Sequence, residues 1–115
     1  MTSYDSGDIV LVHYPFTDLT TSKKRPAVVL SSRTYIRRFG DVVLMPLTRQ
    51  PGRDAAFPLS QWKAAGLLKP TWLKPTIGTL VTRLIEKRIG TLHNSDGDCV
   101  KSALSILIET RWIKS

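Results

Sequence analysis

Short apolar runs, each ended by a proline, a glycine or a polar loop, most constrain how this sequence can fold. Residues 8–14, 26–31 and 41–47 are three such runs, rich in valine, leucine and isoleucine. Their short length and their β-branched residues favour strands over helices. Three further extended segments are predicted at residues 56–59, 72–80 and 89–92. The first four-fifths of the chain therefore has the pattern of a small β-rich domain.

The last part of the sequence changes from strand-like to helical spacing. Apolar residues recur at the i, i+3, i+4, i+7 and i+8 positions that form one helix face: Val100, Ala103, Leu104, Leu107 and Ile108. Ser95 is expected to cap this helix, with Asp98 completing an approximate capping box. Residues 60–66 are expected to form one or two helical turns, capped by Ser60 and ended by Gly66.

These elements predict a β-rich α+β fold. We expect a small SH3-like barrel of short antiparallel strands, covered by the C-terminal helix. A chain of 115 residues is long enough for one hydrophobic core and short for two. We therefore expect one domain over residues 1–115.

The charge balance is the first indication of function. Seventeen Lys and Arg against nine Asp and Glu give a net charge of +8. Residues 19–53 contain eight of the cations and a single acidic residue, Asp41. Such a field attracts phosphate backbones or acidic protein partners. It fits a nucleic-acid binder and a nucleic-acid enzyme equally well.

The sequence gives no signal for a membrane, a disulfide or a metal. It has no apolar run near the roughly 18 residues that span a bilayer, and its first residues do not resemble a signal peptide. Cys99 is the single cysteine, which excludes an intramolecular disulfide, and His13 and His93 are the two histidines. We expect a cytoplasmic protein without a cofactor or a metal.

Two side chains at predicted strand ends are candidates for binding a phosphate. Arg25 precedes Pro26 at the start of the second strand, and Thr48 follows the third. A guanidinium group binds phosphate through a planar fork, and a hydroxyl group donates to a second oxygen. RNA carries its own nucleophile, so groups that align and stabilise the phosphate can promote cleavage. By spacing alone, Arg25 also fits a solvated cation at the start of a strand, and Thr48 also fits a threonine that only favours strand formation.

Three blocks of sequence resemble the PemK/MazF family of toxin endoribonucleases. Residues 7–18, Gly-Asp-Ile-Val-Leu-Val-His-Tyr-Pro-Phe-Thr-Asp, and 24–31, Lys-Arg-Pro-Ala-Val-Val-Leu-Ser, are similar to its opening strands. Residues 41–48, Asp-Val-Val-Leu-Met-Pro-Leu-Thr, are similar to its next signature, and residues 89–92 with the capped helix also fit. The resemblance covers nearly the whole chain.

This resemblance implies a function and partners. Arg25 matches the arginine that the family uses at the scissile phosphate, and Thr48 matches its catalytic threonine. Family members cleave single-stranded RNA at short motifs without a metal, leaving a 2′,3′-cyclic phosphate and a 5′-hydroxyl. They are homodimers with RNA-binding grooves, and an antitoxin with an acidic disordered tail inhibits them. The toxin–antitoxin complex is also expected to bind DNA.

Two departures from the family bear on proton transfer. Arg49 stands where many relatives have a small polar residue, and residues 69–83, where some relatives place a carboxylate, contain no Asp or Glu. Arginine is a poor base because its pKa exceeds about 12. His13 is therefore a third catalytic candidate, since histidine ordinarily titrates near pH ~6.5. A surface or packing role for His13 is the alternative.

Other residues are predicted to contact the RNA strand. These substrate-binding candidates are Phe16, Thr17, Lys23, Lys24, Arg49, Gln50 and Lys74. Phe16 either stacks on a base or fills the core at a turn. Arg37 and Arg38 form either a phosphate track or a charged strand edge that discourages pairing. Trp62, Trp72 and Trp112 are expected in the core or a dimer interface, and His93 is expected to be structural.

Two other functions remain open at this point. One is a toxin of similar fold that binds a protein, as gyrase poisons do through the end of the C-terminal helix. The other is a nucleic-acid binder without nuclease activity, which Arg49 and the missing carboxylate would allow. Arg25 and Thr48 together favour the nuclease, because the protein-binding toxin needs neither of them.

Overall fold

The computed structural model describes residues 3–13, 24–50, 52 and 57–108. The strands are β1 (Asp8–His13), β2 (Lys24–Val29), β3 (Asp41–Thr48), β4 (Trp72–Leu73), β5 (Gly78–Val81) and β6 (Ile85–Thr91). The helices are α1 (Arg33–Phe39) and α2 (Gly97–Leu107), with short 3₁₀ turns at Thr82–Leu84 and Asn94–Asp96. The predicted β-rich α+β class is confirmed.

The strands form one antiparallel sheet in the order β4-β3-β2-β1-β6. β4 and β5 share β3 as a neighbour: β5 pairs with Asp41–Leu44, and β4 pairs with Leu47 and Thr48. Among the described residues no strand pairing joins β6 to β4 or β5, so the sheet of the expected SH3-like barrel is not closed. The central strands β1, β2 and β3 each have a partner on both sides.

Hydrophobic residues cover both faces of this sheet, because neighbouring residues of a strand point to opposite faces. Val10 and Val12 of β1 belong to one buried cluster, whereas Ile9 belongs to a second. Ile36 of α1 covers the first cluster and Ala103 of α2 the second. Continuous apolar runs such as that of β1 arise because both of their faces are buried.

The helix α1 was not predicted, and its sequence signals are local. The Ser32 hydroxyl accepts a hydrogen bond from the N–H of Tyr35 at 3.2 Å. Gly40 ends the helix with φ of 71°, and its N–H donates to the carbonyl of Ile36. The helix changes the interpretation of Arg37 and Arg38, which lie in its last turn. The predicted charged strand edge at these residues is therefore wrong.

The cap predicted for α2 also differs from the structure. Residues 94–96 form a 3₁₀ turn, so the N-cap position falls on Asp96 rather than Ser95. The N–H of Ser95 donates to the ring of His93, which makes His93 structural as expected. On the predicted apolar face, Ala103 is buried and Val100 and Leu104 pack against the second cluster.

Asp96 connects this helix to the segment at residues 60–66. The carboxylate of Asp96 is 3% exposed and accepts hydrogen bonds from the N–H and hydroxyl of Ser60 and the N–H of Gln61. Burial alone would raise the pKa of Asp96, but these hydrogen bonds, led by that of Gln61, lower it below its ordinary value. We call Asp96, Ser60 and Gln61 the α2 junction.

Segment boundaries differ at two other predicted elements. Residues 60–66 are successive turns rather than a regular helix, ended by Gly66 at a φ of 92°. The predicted strand at 56–59 is reduced to a bridge between Pro58 and Trp72, and residue 56 lies outside the described residues. No helix within the described ranges is long and apolar enough to cross a membrane.

Candidate nucleic-acid interface

The pairing of β2 with β3 positions the two phosphate-binding candidates. Ala27 pairs with Pro46, and Val28 pairs with Met45. Arg25 lies two residues before Ala27 in β2, and Thr48 lies two residues after Pro46 in β3. Because the strands are antiparallel, Arg25 and Thr48, 23 positions apart in the sequence, lie at the same end of this strand pair, and both line one groove.

A groove of about 660 Å³ opens at this end of the sheet. Its cationic and polar lining residues are Lys24, Arg25, Arg49, Lys87, Arg88, Thr48 and Gln50. Its apolar floor and walls come from Leu11, Pro26, Leu47, Gly66, Leu67, Leu68 and Ile89. Leu68 is 83% exposed, an unusual position for a leucine and one suited to contact with a bound molecule.

Five of the groove residues that the structure describes are cationic, and two of these have acidic partners within the same described ranges. Lys24 Nζ lies 2.7 Å from Glu86 Oε1, and Arg88 Nη1 lies 3.3 Å from Asp8 Oδ2. The hydrogen bond from Lys24 lowers the pKa of Glu86 below its ordinary value, against the opposing effect of burial. The groove therefore keeps a net positive charge, which attracts a polyanion.

The Thr48 side chain is oriented by the backbone just after it. Its hydroxyl donates to the carbonyl of Gln50 and accepts from the N–H of Gln50, both at 3.1 Å. This two-residue turn fixes the direction of Thr48 Oγ1 at the end of β3. A hydroxyl held this way is positioned before a ligand binds, although a ligand must compete for its proton.

One side of the groove depends on direct contact between backbone segments. A Cβ atom at Gly90 would overlap the carbonyl oxygen of Ala65, and one at Gly66 would lie 2.8 Å from the carbonyl oxygen of Ile89. The backbone at Ala65–Gly66 thus packs directly on β6. This contact places Gly66, Leu67 and Leu68 beside Lys87 and Ile89 in the groove wall.

Comparison with known proteins places this fold and sequence in a family. Residues 5–108 match the PemK-like, MazF-like toxin of type II toxin-antitoxin systems. This chain belongs to the PemK/MazF toxin family. Direct comparison with curated protein sequences gives no match.

Solved structures of the family share the fold at low sequence identity. MazF from Deinococcus radiodurans is 20% identical with a TM-score of 0.73, covering 93% of this chain and 97% of that one. An endoribonuclease in complex with its cognate antitoxin from a mycobacterial species is 16% identical, with a TM-score of 0.68 and coverage of 92% and 93%. Toxin MazF-mt6 of Mycobacterium tuberculosis is 19% identical, with a TM-score of 0.68 and coverage of 86% and 93%.

The groove of this PemK/MazF toxin contains five of the residues singled out in the sequence. Arg25, Thr48, Lys24, Arg49 and Gln50 all line it. Lys74, a sixth candidate, is half-buried beyond β4, where its N–H donates to the carbonyl of Pro46, and it is not part of the lining. The candidates Phe16, Thr17 and Lys23 lie outside the described residues.

The third catalytic candidate, His13, is an exposed residue at the end of β1. It pairs with Lys24 across the β1–β2 ladder, and its charge also helps to lower the pKa of Glu86. His13 is thus a neighbour of the groove without lining it. Among the described residues, no three His, Cys, Asp or Glu side chains lie close enough to hold a metal ion.

Two groove cations were missed by the sequence analysis. Lys87 and Arg88 precede residue 89, where the last strand was predicted to begin, whereas β6 begins at Ile85. Extending the predicted last strand toward its N-terminus would have placed the adjacent basic residues Lys87 and Arg88 on it, and so would have made them candidates for binding RNA. Trp62 packs against the second cluster and Trp72 is half-buried in β4, while Trp112 lies outside the described residues.

Proposed function

We propose that this toxin is an endoribonuclease that cleaves single-stranded RNA through the RNA's own 2′-hydroxyl, without a metal. The observation that carries the proposal is that Arg25 and Thr48 line the same groove, to which the described residues contribute five cations. The basic groove holds the phosphate backbone, and the two residues act on the phosphate that reacts. The resemblance of both strand blocks to known toxin endoribonucleases supports the same assignment.

The chemistry follows from what each side chain can donate. The 2′-oxygen attacks the adjacent phosphorus and the bond to the 5′-oxygen breaks, which leaves a 2′,3′-cyclic phosphate and a 5′-hydroxyl. Arg25 donates two hydrogen bonds to the non-bridging oxygens and stabilises the negative charge that develops there. Thr48 donates a third and orients the phosphate for in-line attack.

Proton transfer requires a group that accepts the 2′-hydroxyl proton and one that supplies a proton to the 5′-oxygen. His13, beside Lys24 at the rim, is our candidate for one of these steps. Undiminished cleavage by His13→Ala at every pH would remove it from the mechanism. Lys24, Arg49 and Gln50 are proposed to bind the strand on either side of the reacting phosphate. Phe16, Thr17, Lys23 and Lys74 remain proposed RNA contacts.

The partners of the toxin follow from the charge of the groove and from the family. We propose a homodimer in the cytoplasm whose activity is blocked by an antitoxin with an acidic, disordered tail. Such a tail complements the net charge of +8 and competes with RNA for the same cations. A solved mycobacterial relative is an endoribonuclease bound to its cognate antitoxin.

A second candidate function is inhibition of a protein target, such as gyrase, through the end of α2. Ile106 and Ile108 are 70% and 51% exposed there, and Leu107 is 39% exposed. Exposed apolar residues at a helix end are suited to a protein partner. The third candidate, a binder without nuclease activity, is favoured by the hydrogen bond that the Thr48 hydroxyl donates to the carbonyl of Gln50.

One experiment separates these functions. The purified protein is incubated with a long single-stranded RNA in EDTA, beside Arg25→Ala and Arg37→Ala, and the new RNA ends are mapped. Arg37→Ala is the matched control, since it removes the same charge from α1 at the far end of β2. We expect discrete cuts with 2′,3′-cyclic phosphate ends from the wild type and Arg37→Ala, and intact RNA with Arg25→Ala.

Other outcomes would select the other functions. Binding of RNA without cleavage by the folded wild type would establish the nuclease-dead binder. Intact RNA together with inhibition of gyrase would establish the protein-binding toxin. Cleavage that disappears in EDTA and returns with Mg²⁺ would contradict the metal-independent mechanism.

A further inference from the structure

Glu86 occupies an irregular position in β6, next to the groove. In the β1–β6 ladder, Leu11 pairs with Lys87 and Val12 pairs with Ile85, so Glu86 is an additional residue between successive pairs. Such a bulge bends the strand and changes the direction of a side chain. Here the carboxylate of Glu86 lies 2.7 Å from the ammonium group of Lys24, which lines the groove.

The Lys24–Glu86 pair joins two strands that are not neighbours in sequence. Lys24 begins β2 directly before Arg25, and Glu86 lies 62 positions further along the chain. The two side chains are 52% and 40% exposed, so water and mobile ions reach both of them. An exposed pair of this kind contributes little stability and is easily separated. Its position beside Arg25 therefore needs a reason other than stability.

A carboxylate and a phosphate are interchangeable partners for an ammonium group. Both are anionic oxygen acceptors that form charge-assisted hydrogen bonds with lysine. A nucleic-acid strand that enters the groove presents phosphates to Lys24, where the carboxylate of Glu86 already lies. A phosphate can bind Lys24 fully only after Lys24 and Glu86 separate.

We propose that Glu86 is an intramolecular competitor for nucleic-acid phosphate and thereby sets the affinity of the groove for RNA. The inference rests on the proposed function, since RNA is the ligand whose phosphates would replace the carboxylate. In the free toxin Glu86 holds Lys24, and in the complex a phosphate holds it. The groove consequently binds any single strand more weakly than its cations alone would allow.

The test measures binding separately from cleavage. A fluorescent 2′-O-methyl oligoribonucleotide of mixed sequence serves as the probe, since it lacks the nucleophile and stays intact. Its dissociation constant is measured by anisotropy at constant ionic strength for the wild type, Glu86→Gln, Lys24→Met and the double variant. Asp41→Asn is the control for loss of one negative charge, because Asp41 lies at the opposite end of β3 from Thr48.

We expect Glu86→Gln to bind the probe about two- to fivefold more tightly than the wild type, the range that an exposed ion pair allows. Asp41→Asn should change the affinity much less. In the Lys24→Met background, Glu86→Gln should have no further effect, because the competitor acts through Lys24. Unchanged thermal unfolding of each variant checks that the fold is intact.

Distinct results would overturn the inference. Equal or weaker binding by Glu86→Gln would contradict it, and so would an equal gain from Asp41→Asn. A gain that persists with Lys24→Met would show direct repulsion of RNA by Glu86 instead of competition. If no variant binds the probe, the proposed function fails and the inference fails with it, whereas binding without these differences overturns the inference alone.

Discussion

The groove and the α2 junction each contain a carboxylate held by hydrogen bonds, but the two are built differently. Glu86 at the groove is 40% exposed and is hydrogen-bonded to the ammonium group of Lys24. Asp96 at the junction is 3% exposed and accepts three hydrogen bonds from Ser60 and Gln61. The first arrangement exchanges easily with water or a ligand. The second has no replacement for its partners once it is broken.

This difference separates the part of the molecule that binds from the part that maintains the fold. At the groove, charges of one sign lie close together and are half-exposed, an arrangement that is useful for a polyanion and nearly neutral for folding. At the α2 junction, hydrogen bonds from Ser60 and Gln61 take the place of water around the buried carboxylate of Asp96. They connect two segments that are 36 positions apart in the sequence. Substitutions in the two regions should therefore affect different measurements.

The largest effect is expected from Thr48→Val, which keeps the shape of the side chain and removes its hydroxyl. Loss of one preorganised donor to the reacting phosphate should lower the cleavage rate by about 10²–10³-fold. Thr48→Ser, the matched control, should retain most of the activity. Initial rates on an RNA with a mapped cleavage site check both, and equal rates for Thr48→Val and wild type would remove Thr48 from catalysis.

A large effect on stability is expected from Asp96→Asn. The new amide would turn an N–H₂ group toward a backbone N–H and leave buried donors unpaired, which lowers the free energy of unfolding by about 1–3 kcal/mol. Urea denaturation measures this change. Asp98→Asn, an exposed neighbour, is the control and should change stability less. Activity per folded molecule should stay at the wild-type level, and its loss would contradict the separation of the two regions.

The same carboxylate predicts a pH dependence. Because the pKa of Asp96 is lower in the folded protein than its ordinary value of 3.8, its stabilising contribution is complete above that value. The contribution is lost as the pH falls through the folded pKa. The stability difference between wild type and Asp96→Asn should therefore shrink below about pH 4. Denaturation curves at neutral and acidic pH test it, and a constant difference would assign the effect to packing.

The smallest effect is expected from Lys87→Ala in the groove. Removing one phosphate contact should weaken binding of all RNA sequences alike and reduce the slope of log K against log salt by about 0.7. Arg38→Ala on α1 is the control, because Arg37 and Arg38 were considered in the sequence analysis as a second place where phosphates bind. An unchanged slope for Arg38→Ala would leave the groove as the binding surface, whereas an equal reduction in both variants would extend that surface to α1.

Much of the fold could be predicted because its strongest signals are local. The strands β1, β2 and β3 follow from runs of β-branched residues, and the apolar spacing of α2 predicted the face that contains Ala103. The helix α1 was missed although Ser32 and Gly40 mark its ends. Its residues, with a single buried side chain at Ile36, lack the repeated apolar spacing on which a helix prediction depends.

The site was predictable in part, for a related reason. Arg25 and Thr48 were found through the resemblance, but their placement in one groove depends on the pairing of β2 with β3, which no local pattern contains. Lys87 and Arg88 were missed because the bulges of β6 interrupt the regular alternation that identifies a strand. The partners of Asp96 lie too far away in sequence to be inferred from its neighbours.

The backbone contact between Gly66 and Gly90 has a consequence for how this toxin can diversify. Main-chain atoms of Ala65, Gly66, Ile89 and Gly90 make this contact, so it does not depend on the exposed side chains that face the ligand. Leu68 and Lys87, which are exposed, can be exchanged while that contact stays in place, whereas Leu67 belongs to the second buried cluster. A library that randomises Leu68 and Lys87 and keeps Leu67 and both glycines would search for new RNA preferences on an unchanged frame.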